Sequence, residues 1–233
     1  MRFVFLVAAY NEARILPSLI EKFMTLQSRN VDFEVCILDN ASTDGTQNLA
    51  TEKMKEVPWL RYLRIEQKGL GAAFTAGLKH YKDISSKDCW FVFTAADLPF
   101  GFTDFDSFLE YKNKYPNCGL FVGSKQHPHS QVKRDFKRKF MSAVFFVIRR
   151  LVLGLATKDT QGTIFLKSEY AGTYEQIKSV DYFFTTELIY LVAKKTSIVE
   201  MPVTYLPELR PSNVRVIADG MKFIKQLVRL RFR

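Results

Sequence analysis

The stretch "CWFVFTAADLP" at 89–99 sets one acid, Asp97, just after an apolar, aromatic and β-branched run that reads as a buried strand. A carboxylate at the C-terminal end of such a strand is a common ligand for a metal or a substrate in open α/β sheets. Asp97 is therefore half of a metal site, the remnant of one, or an ordinary loop carboxylate. A second group is cationic. Lys125 follows the apolar "CGLFVGS", and Arg134, Arg138 and Ser142 come after it at intervals of four, on one face of a helix. A cationic row closed by a hydroxyl suits a phosphate monoester; a solvated basic helix face is the plainer alternative. The third group is "KGLGAAF" at 68–74, where Gly69 and Gly71 beside Lys68 let backbone approach a phosphate at a helix start.

These groups need elements to hold them. "RFVFLVAA", "FEVCILDN", "LRYLRIE" and "CWFVFTAAD" read as strands, and the segments between them have helical spacing, as at Ile15, Leu16, Leu19, Ile20 and Phe23. The second helix is expected to be capped by Ser42 or Thr43. Alternating strands and helices predict a Rossmann-like, mostly parallel sheet flanked by helices, with ligands at the carboxyl ends of the strands. Asn11, Asp39, Lys68 and Asp97 all fall there. Beyond 100 the pattern changes: a helix in "FTDFDSFLEYKNKY", a strand in "CGLFVGSK", a helix in "FFTTELIYLVAKK" and a basic C-terminal helix. "FMSAVFFVIRRLVLGL" predicts a basic amphipathic helix at a membrane interface, with Arg149 and Arg150 snorkelling toward lipid phosphates. A core helix covering the sheet is the alternative.

At 233 residues with no linker in sight, the chain predicts one domain over 1–233, whose character changes between a first half over 1–125 and a second over 126–233. The formal charge of +10 calls for an anionic partner. Nucleic acid is not expected, since neither an aromatic RNA platform nor a helix-turn-helix signature accompanies the charge. Three widely spaced cysteines without a CxxC suggest reduced core thiols and a cytoplasmic setting. "FVFLVAAY" meets Asn11 too soon for a signal peptide, and no segment approaches the ~20 apolar residues of a membrane span. His127 and His129 flank Pro128 with no cysteine near, so a metal role is not expected of them.

Four stretches in order, "AAYNEARIL" at 8–16, "LDNASTDGT" at 38–46, "KGLGAAFTAGL" at 68–78 and "AADLP" at 95–99, resemble family-2 glycosyltransferases of the GT-A fold. Within these, the sequence looks most like polyprenyl-phosphate hexosyltransferases of the dolichyl-phosphate mannose and glucose synthase type. "VGSK", "KRKFMS", "DTQGTIFL", "TTELI" and "RPSNV" extend the likeness almost to the end of the chain. The resemblance implies inverting transfer of a hexosyl group from a nucleotide diphosphate sugar to a polyprenyl phosphate. It places Tyr10, Asn11, Glu12, Asp39, Lys68, Gly69, Gly71 and Asp97 on the donor. It places Lys125, Arg134, Arg138, Ser142, Arg210 and Ser212 on the acceptor phosphate, with Arg138 and Ser142 joining Asp97 as catalytic residues.

For Asp39 and for Asp44, turn and helix-cap chemistry is the alternative role. Asp159, Gln161 and Glu187 match further family segments, Glu187 reaching the sugar or bracing the site. Relatives carry Asp-X-Asp where this chain has Ala95 and Asp97, so the expected Mg²⁺ or Mn²⁺ site is weakened, with Asp97 its protein ligand. Stabilisation by Lys and Arg alone, or a catalytically silent descendant that binds nucleotide-sugar or lipid phosphate, are the alternatives, as is transfer to a soluble glycan. The expected location is peripheral, at the cytoplasmic face of a membrane, with pairing to a membrane-spanning protein left open.

Overall fold

The structure, a computed structural model, describes residues 1–84, 88–132, 136–205 and 216–233, and of 136–138 and 216–219 the backbone alone. The expected residues Arg134, Arg210 and Ser212 lie outside the described residues, as does the side chain of Arg138. The first half alternates β1 (Arg2–Ala9), α1 (Leu16–Gln27), β2 (Asp32–Asp39), α2 (Thr46–Lys53), β3 (Leu60–Arg64), α3 (Leu70–His80) and β4 (Cys89–Ala95). It continues with α4 (Thr103–Lys114), β5 (Leu120–Gly123), α5 (Phe136–Leu153), β6 (Ile164–Lys167), α6 (Phe184–Val192), β7 (Ile198–Met201) and α7 (Val216–Arg231). A 3-10 helix over Ser168–Gln176 follows β6.

The strands form one seven-stranded sheet in the order β3-β2-β1-β4-β6-β5-β7. All neighbouring pairs are parallel except those made by β6, which runs against both β4 and β5. The central strands are apolar on both faces because both are covered. Phe3, Phe5 and Val7 of β1 pack with Leu19 and Phe23 of α1 and Phe105 and Phe108 of α4. Val4 and Leu6 point the other way, toward Ala73 and Leu78 of α3 and Leu188 and Val192 of α6. The period of two along the strand thus feeds two separate cores.

The reversed strand matters for function. Because β6 is antiparallel, its start rather than its end lies beside the carboxyl ends of β4 and β5, so Gly162 and Thr163 join Ala95 at the ligand-binding edge. Gly123 N donates to Thr163 O at 2.8 Å. Only glycine fits at 162, where a Cβ would lie 1.6 Å from Gly123 O.

The second helix starts later than expected. Its N-cap position is Gly45, and no side chain caps it. Ser42 and Thr43 serve the loop instead. Asn11, with φ of 55°, donates from its backbone N to Ser42 Oγ at 2.8 Å and accepts from Thr43 N at its Oδ1 at 2.8 Å. Two strand-end loops are stitched together this way, and the cap residues are spent on the stitch.

Candidate active site

A cavity of about 320 Å³ opens at the carboxyl ends of β1 and β4. Ala8, Ala9, Tyr10 and Glu12 line it from β1 and the loop after it; Thr94, Ala95, Pro99 and Phe100 line it from β4 and its turn. Leu70, Ala73 and Phe74 of α3 form a third side, and Gln161, Gly162, Thr163, Tyr182 and Thr185 a fourth.

At one rim the Lys68 ammonium sits 5.3 Å from the centre of the half-exposed Tyr10 ring. An aromatic face and a free-standing cation at one rim can take a base or an anion. Asn40 was not expected in the site, yet it lines the cavity and holds the turn that carries Lys68. Its Nδ2 donates to Gln67 O at 2.8 Å and its Oδ1 accepts from Gly69 N at 2.6 Å. The signal was present in the sequence, since Asn40 directly follows Asp39 at a strand end.

Gly69 and Gly71 also serve the chain's own packing. A Cβ at Gly69, where φ is 135°, would lie 2.0 Å from Val180 O, and one at Gly71 would lie 2.4 Å from Ser179 O. Ala72 N in the first turn of α3 donates to Val180 O at 3.1 Å. The close approach that glycine permits is made by the chain's own 179–181 backbone.

Asp39 is fully buried. Its Oδ1 accepts from Ser42 N at 2.9 Å, and its Oδ2 accepts from the Tyr62 hydroxyl at 2.5 Å with Arg64 Nη1 at 3.5 Å. These contacts favour the turn-forming role over a free acceptor for ribose. Asp44 is committed likewise: its Oδ1 accepts from Thr46 N at 3.0 Å and its Oδ2 from Ala13 N at 3.2 Å. Burial works to raise the Asp44 pKa, but the bonds from Thr46 and Ala13 outweigh it and hold the carboxyl below its usual value.

Asp97 is exposed in the turn after β4, where its carbonyl accepts from Lys22 Nζ at 3.4 Å. It does not line the cavity, whereas Ala95 does. Among the described residues no group of three His, Cys, Asp or Glu side chains could hold a metal ion. The donor set therefore fits only a divalent cation that takes most of its oxygen ligands from a diphosphate and water.

Lys125 follows β5, beside Phe100 and Gln161 of the cavity lining. Its backbone N donates to Asp159 Oδ2 at 3.0 Å and its Nζ to Gln161 O at 3.2 Å, with the Phe100 ring 6.0 Å from the ammonium. Gln161 ties the segment before β6 to the start of α6, donating from Nε2 to Tyr182 O at 3.1 Å and to Thr185 Oγ1 at 2.9 Å. Ser142 is half-buried on α5 and does not line the cavity.

Arg149 corrects an expectation. Instead of reaching toward lipid it is 3% exposed, and its Nη2 donates to Thr157 O at 2.5 Å and Lys158 O at 2.9 Å. Burial presses its pKa down. From the other side Glu200 accepts from Lys158 N at 2.9 Å and Asp159 N at 3.0 Å. Arg149 thus anchors the loop that carries Gln161 and, through Asp159, holds Lys125.

Residues 4–171 match the family model described as Glycosyl transferase family 2. The chain is 26% identical to a dolichyl-phosphate beta-glucosyltransferase of Dictyostelium discoideum, over 98% of this chain and 73% of that one. It is 27% identical to an undecaprenyl-phosphate mannosyltransferase of Micrococcus luteus, over 88% of this chain and 84% of that one. Among solved structures it resembles glucosyl-3-phosphoglycerate synthase from Mycobacterium tuberculosis in complex with Mn²⁺, UDP and phosphoglyceric acid, with a TM-score of 0.64 at 17% identity. That likeness covers 99% of this chain and 76% of the other. A mannosyltransferase from Pyrobaculum calidifontis with GDP-Man and Mn²⁺ is similar at a TM-score of 0.56 and 17% identity, over 98% of this chain and 69% of that one.

Proposed function

The chain belongs to glycosyl transferase family 2 and has the GT-A fold, and from that premise we propose that it moves a hexosyl group from a nucleotide diphosphate sugar to a polyprenyl phosphate, with inversion. The observation that carries this reading is a pair of lysines, each set against a ring of the cavity lining, Lys68 over Tyr10 and Lys125 over Phe100. Two anionic substrates meeting at one carbon need two separate cationic seats. The donor falls to the 1–125 half and the acceptor phosphate to the 126–233 half, where Arg134, Arg138, Ser142, Arg210 and Ser212 are proposed to join Lys125.

A phosphate monoester is largely ionised near neutral pH, its second pKa being about 6, so it can attack without a protein base. The chain's residues then have two tasks: to hold both anions in line and to stabilise the departing nucleotide. Tyr10 and Lys68 hold the donor and Lys125 orients the acceptor phosphate. Asp97 would hold a Mg²⁺ or Mn²⁺ ion at a weakened site, and that ion would supply charge stabilisation of the leaving diphosphate.

The location that goes with this reading is peripheral, on the cytoplasmic face of a membrane. Among the described residues no helix is long and apolar enough to cross one. The support is a set of exposed apolar side chains on two packed helices, Phe140, Val147 and Leu151 on α5 and Met221, Ile224 and Val228 on α7, with Phe232 just after it. A second reading, a silent binding protein, is favoured by Ala95 alone. Incubation with radiolabelled UDP- and GDP-hexoses and dolichyl or undecaprenyl phosphate separates the two. Label extracted into organic solvent with the lipid is expected; donor binding without lipid-linked product from any pair would establish the silent protein instead.

A further inference from the structure

Glu187 lies in the first turn of α6, is 1% exposed and does not line the cavity. A buried carboxylate is costly unless donors surround it. Here Oε1 accepts from Lys178 N at 3.2 Å and from Arg233 Nη1 at 2.8 Å. Oε2 accepts from Ser179 N at 3.0 Å and from the Ser179 hydroxyl. Three of these four donors belong to one short segment, residues 178–179, which leads directly into Val180.

That segment is the one packed on the start of α3. Val180 O accepts from Ala72 N at 3.1 Å, and the carbonyls of Ser179 and Val180 occupy the space where side chains at Gly71 and Gly69 would go. Two residues further on, Tyr182 enters the cavity wall and its carbonyl accepts from Gln161. Asp181 between them is held by α7, through Lys222 Nζ at 2.6 Å and Gln226 Nε2 at 3.2 Å. The 178–182 strap is thus fixed at four points, by Glu187, Ala72, Gln161 and the Lys222–Gln226 pair, and the Glu187 side chain is buried.

We propose that Glu187 is a positioning residue for the donor: by clamping residues 178 and 179 it sets the strap against the start of α3 and so fixes the Lys68 turn and the Tyr182 wall. A carboxylate serving only the α6 dipole would need no contact with the strap. The inference rests on assigning the Tyr10 and Lys68 rim to the donor.

The test uses the full chain with Glu187→Gln and, as a variant safe for folding, Ser179→Ala. Glu187→Gln keeps the volume but turns one acceptor into a donor facing the strap N–H groups. UDP-glucose and GDP-mannose binding is measured by calorimetry, transfer kinetics give both KM values, and hydrogen exchange reports the amides of Lys178 and Ser179. Expected for Glu187→Gln are faster exchange at those amides, a donor dissociation constant raised roughly tenfold and an acceptor KM unchanged within about twofold. Ser179→Ala should show the same pattern at two- to threefold, about what one neutral hydrogen bond implies at its weak end. A fall in melting temperature with donor binding unchanged, or equal shifts in both KM values, would overturn the proposal. If the wild type binds neither donor, the transferase reading fails, while unchanged exchange at the two amides would independently sink the clamp.

Discussion

Ala95 and Asp97 stand two residues apart, one in the cavity wall without a charge and the other exposed on the turn beyond it. An acid so placed does little for the core, so Asp97→Asn should leave the melting temperature within about 1 °C, as for other surface changes, and remove most transfer at saturating Mn²⁺. Unchanged turnover would take Asp97 out of the mechanism. Ala95→Asp should tighten Mn²⁺ dependence if the site is weakened rather than replaced by lysines. Asp104 offers a different test at the same scale. It is buried at the start of α4, and desolvation pushes its pKa up to about 6 against the hydrogen bond from Phe105 N. A carboxyl raised in the folded state makes folding lose stability as pH climbs from about 4 through 6, by on the order of 3 kcal/mol. Asp104→Asn should therefore raise the melting temperature at pH 7.5 and change it little at pH 4; equal effects at both would show that the charge is not what costs. Asp97 and Lys125 were legible from their strand ends. The burial of Asp39 was not, because it depends on Tyr62 and Arg64, which come from a neighbouring strand and not from nearby sequence.

At the scale of elements, sequence pattern located the seven α-helices of the described residues approximately but could not assign their faces. On α5, Arg149 and Arg150 look equivalent in sequence, yet one is sealed against the carbonyls of 157 and 158 and the other is exposed. What decided between them is a loop that follows the helix and needs its carbonyls satisfied. Arg149→Ala should then cost about 1–3 kcal/mol of stability for unpaired buried groups, whereas Arg150→Ala should cost almost nothing by chemical denaturation. The exposed face behaves differently. Phe140, Val147 and Leu151, and Met221, Ile224 and Val228, repeat at helical spacing on two helices joined by a Phe145–Phe223 contact of 5.4 Å, and the exposed Phe232 follows the second. Lys139 and Arg150 flank the first set, Lys225 and Arg229 the second. Vesicles with anionic lipid should bind the chain and release it at high salt. Val147→Glu with Leu151→Glu, or Ile224→Glu with Val228→Glu, should abolish sedimentation with vesicles without lowering stability. Persistence of binding in both pairs would mean another surface meets the lipid.

Across the whole molecule, the alternation of strand and helix made the parallel half readable, while the second half hid its main device. A four-residue β6 that reverses direction carries no pattern distinguishing it from a parallel neighbour, yet it brings residues 161–163 to the same edge as Ala95. On the proposed function, one edge of one sheet would serve two substrates, the donor at Tyr10 and Lys68 and the acceptor phosphate at Lys125. The two lysines have separate partners: Lys68 meets the Tyr10 ring, and Lys125 meets Asp159, Gln161 and the Phe100 ring. Their contributions should therefore separate and add. Lys68→Ala is expected to raise the donor KM, and Lys125→Ala the acceptor KM, each by roughly ten- to a hundredfold if a charge-assisted contact worth ~1.5–3 kcal/mol is lost. The double variant should show the product of the two effects in kcat/KM, because each lysine meets its own anion. A double variant no worse than Lys125→Ala alone would place both ammonium groups on the same phosphate, and the division of the cavity into two seats would fall with it.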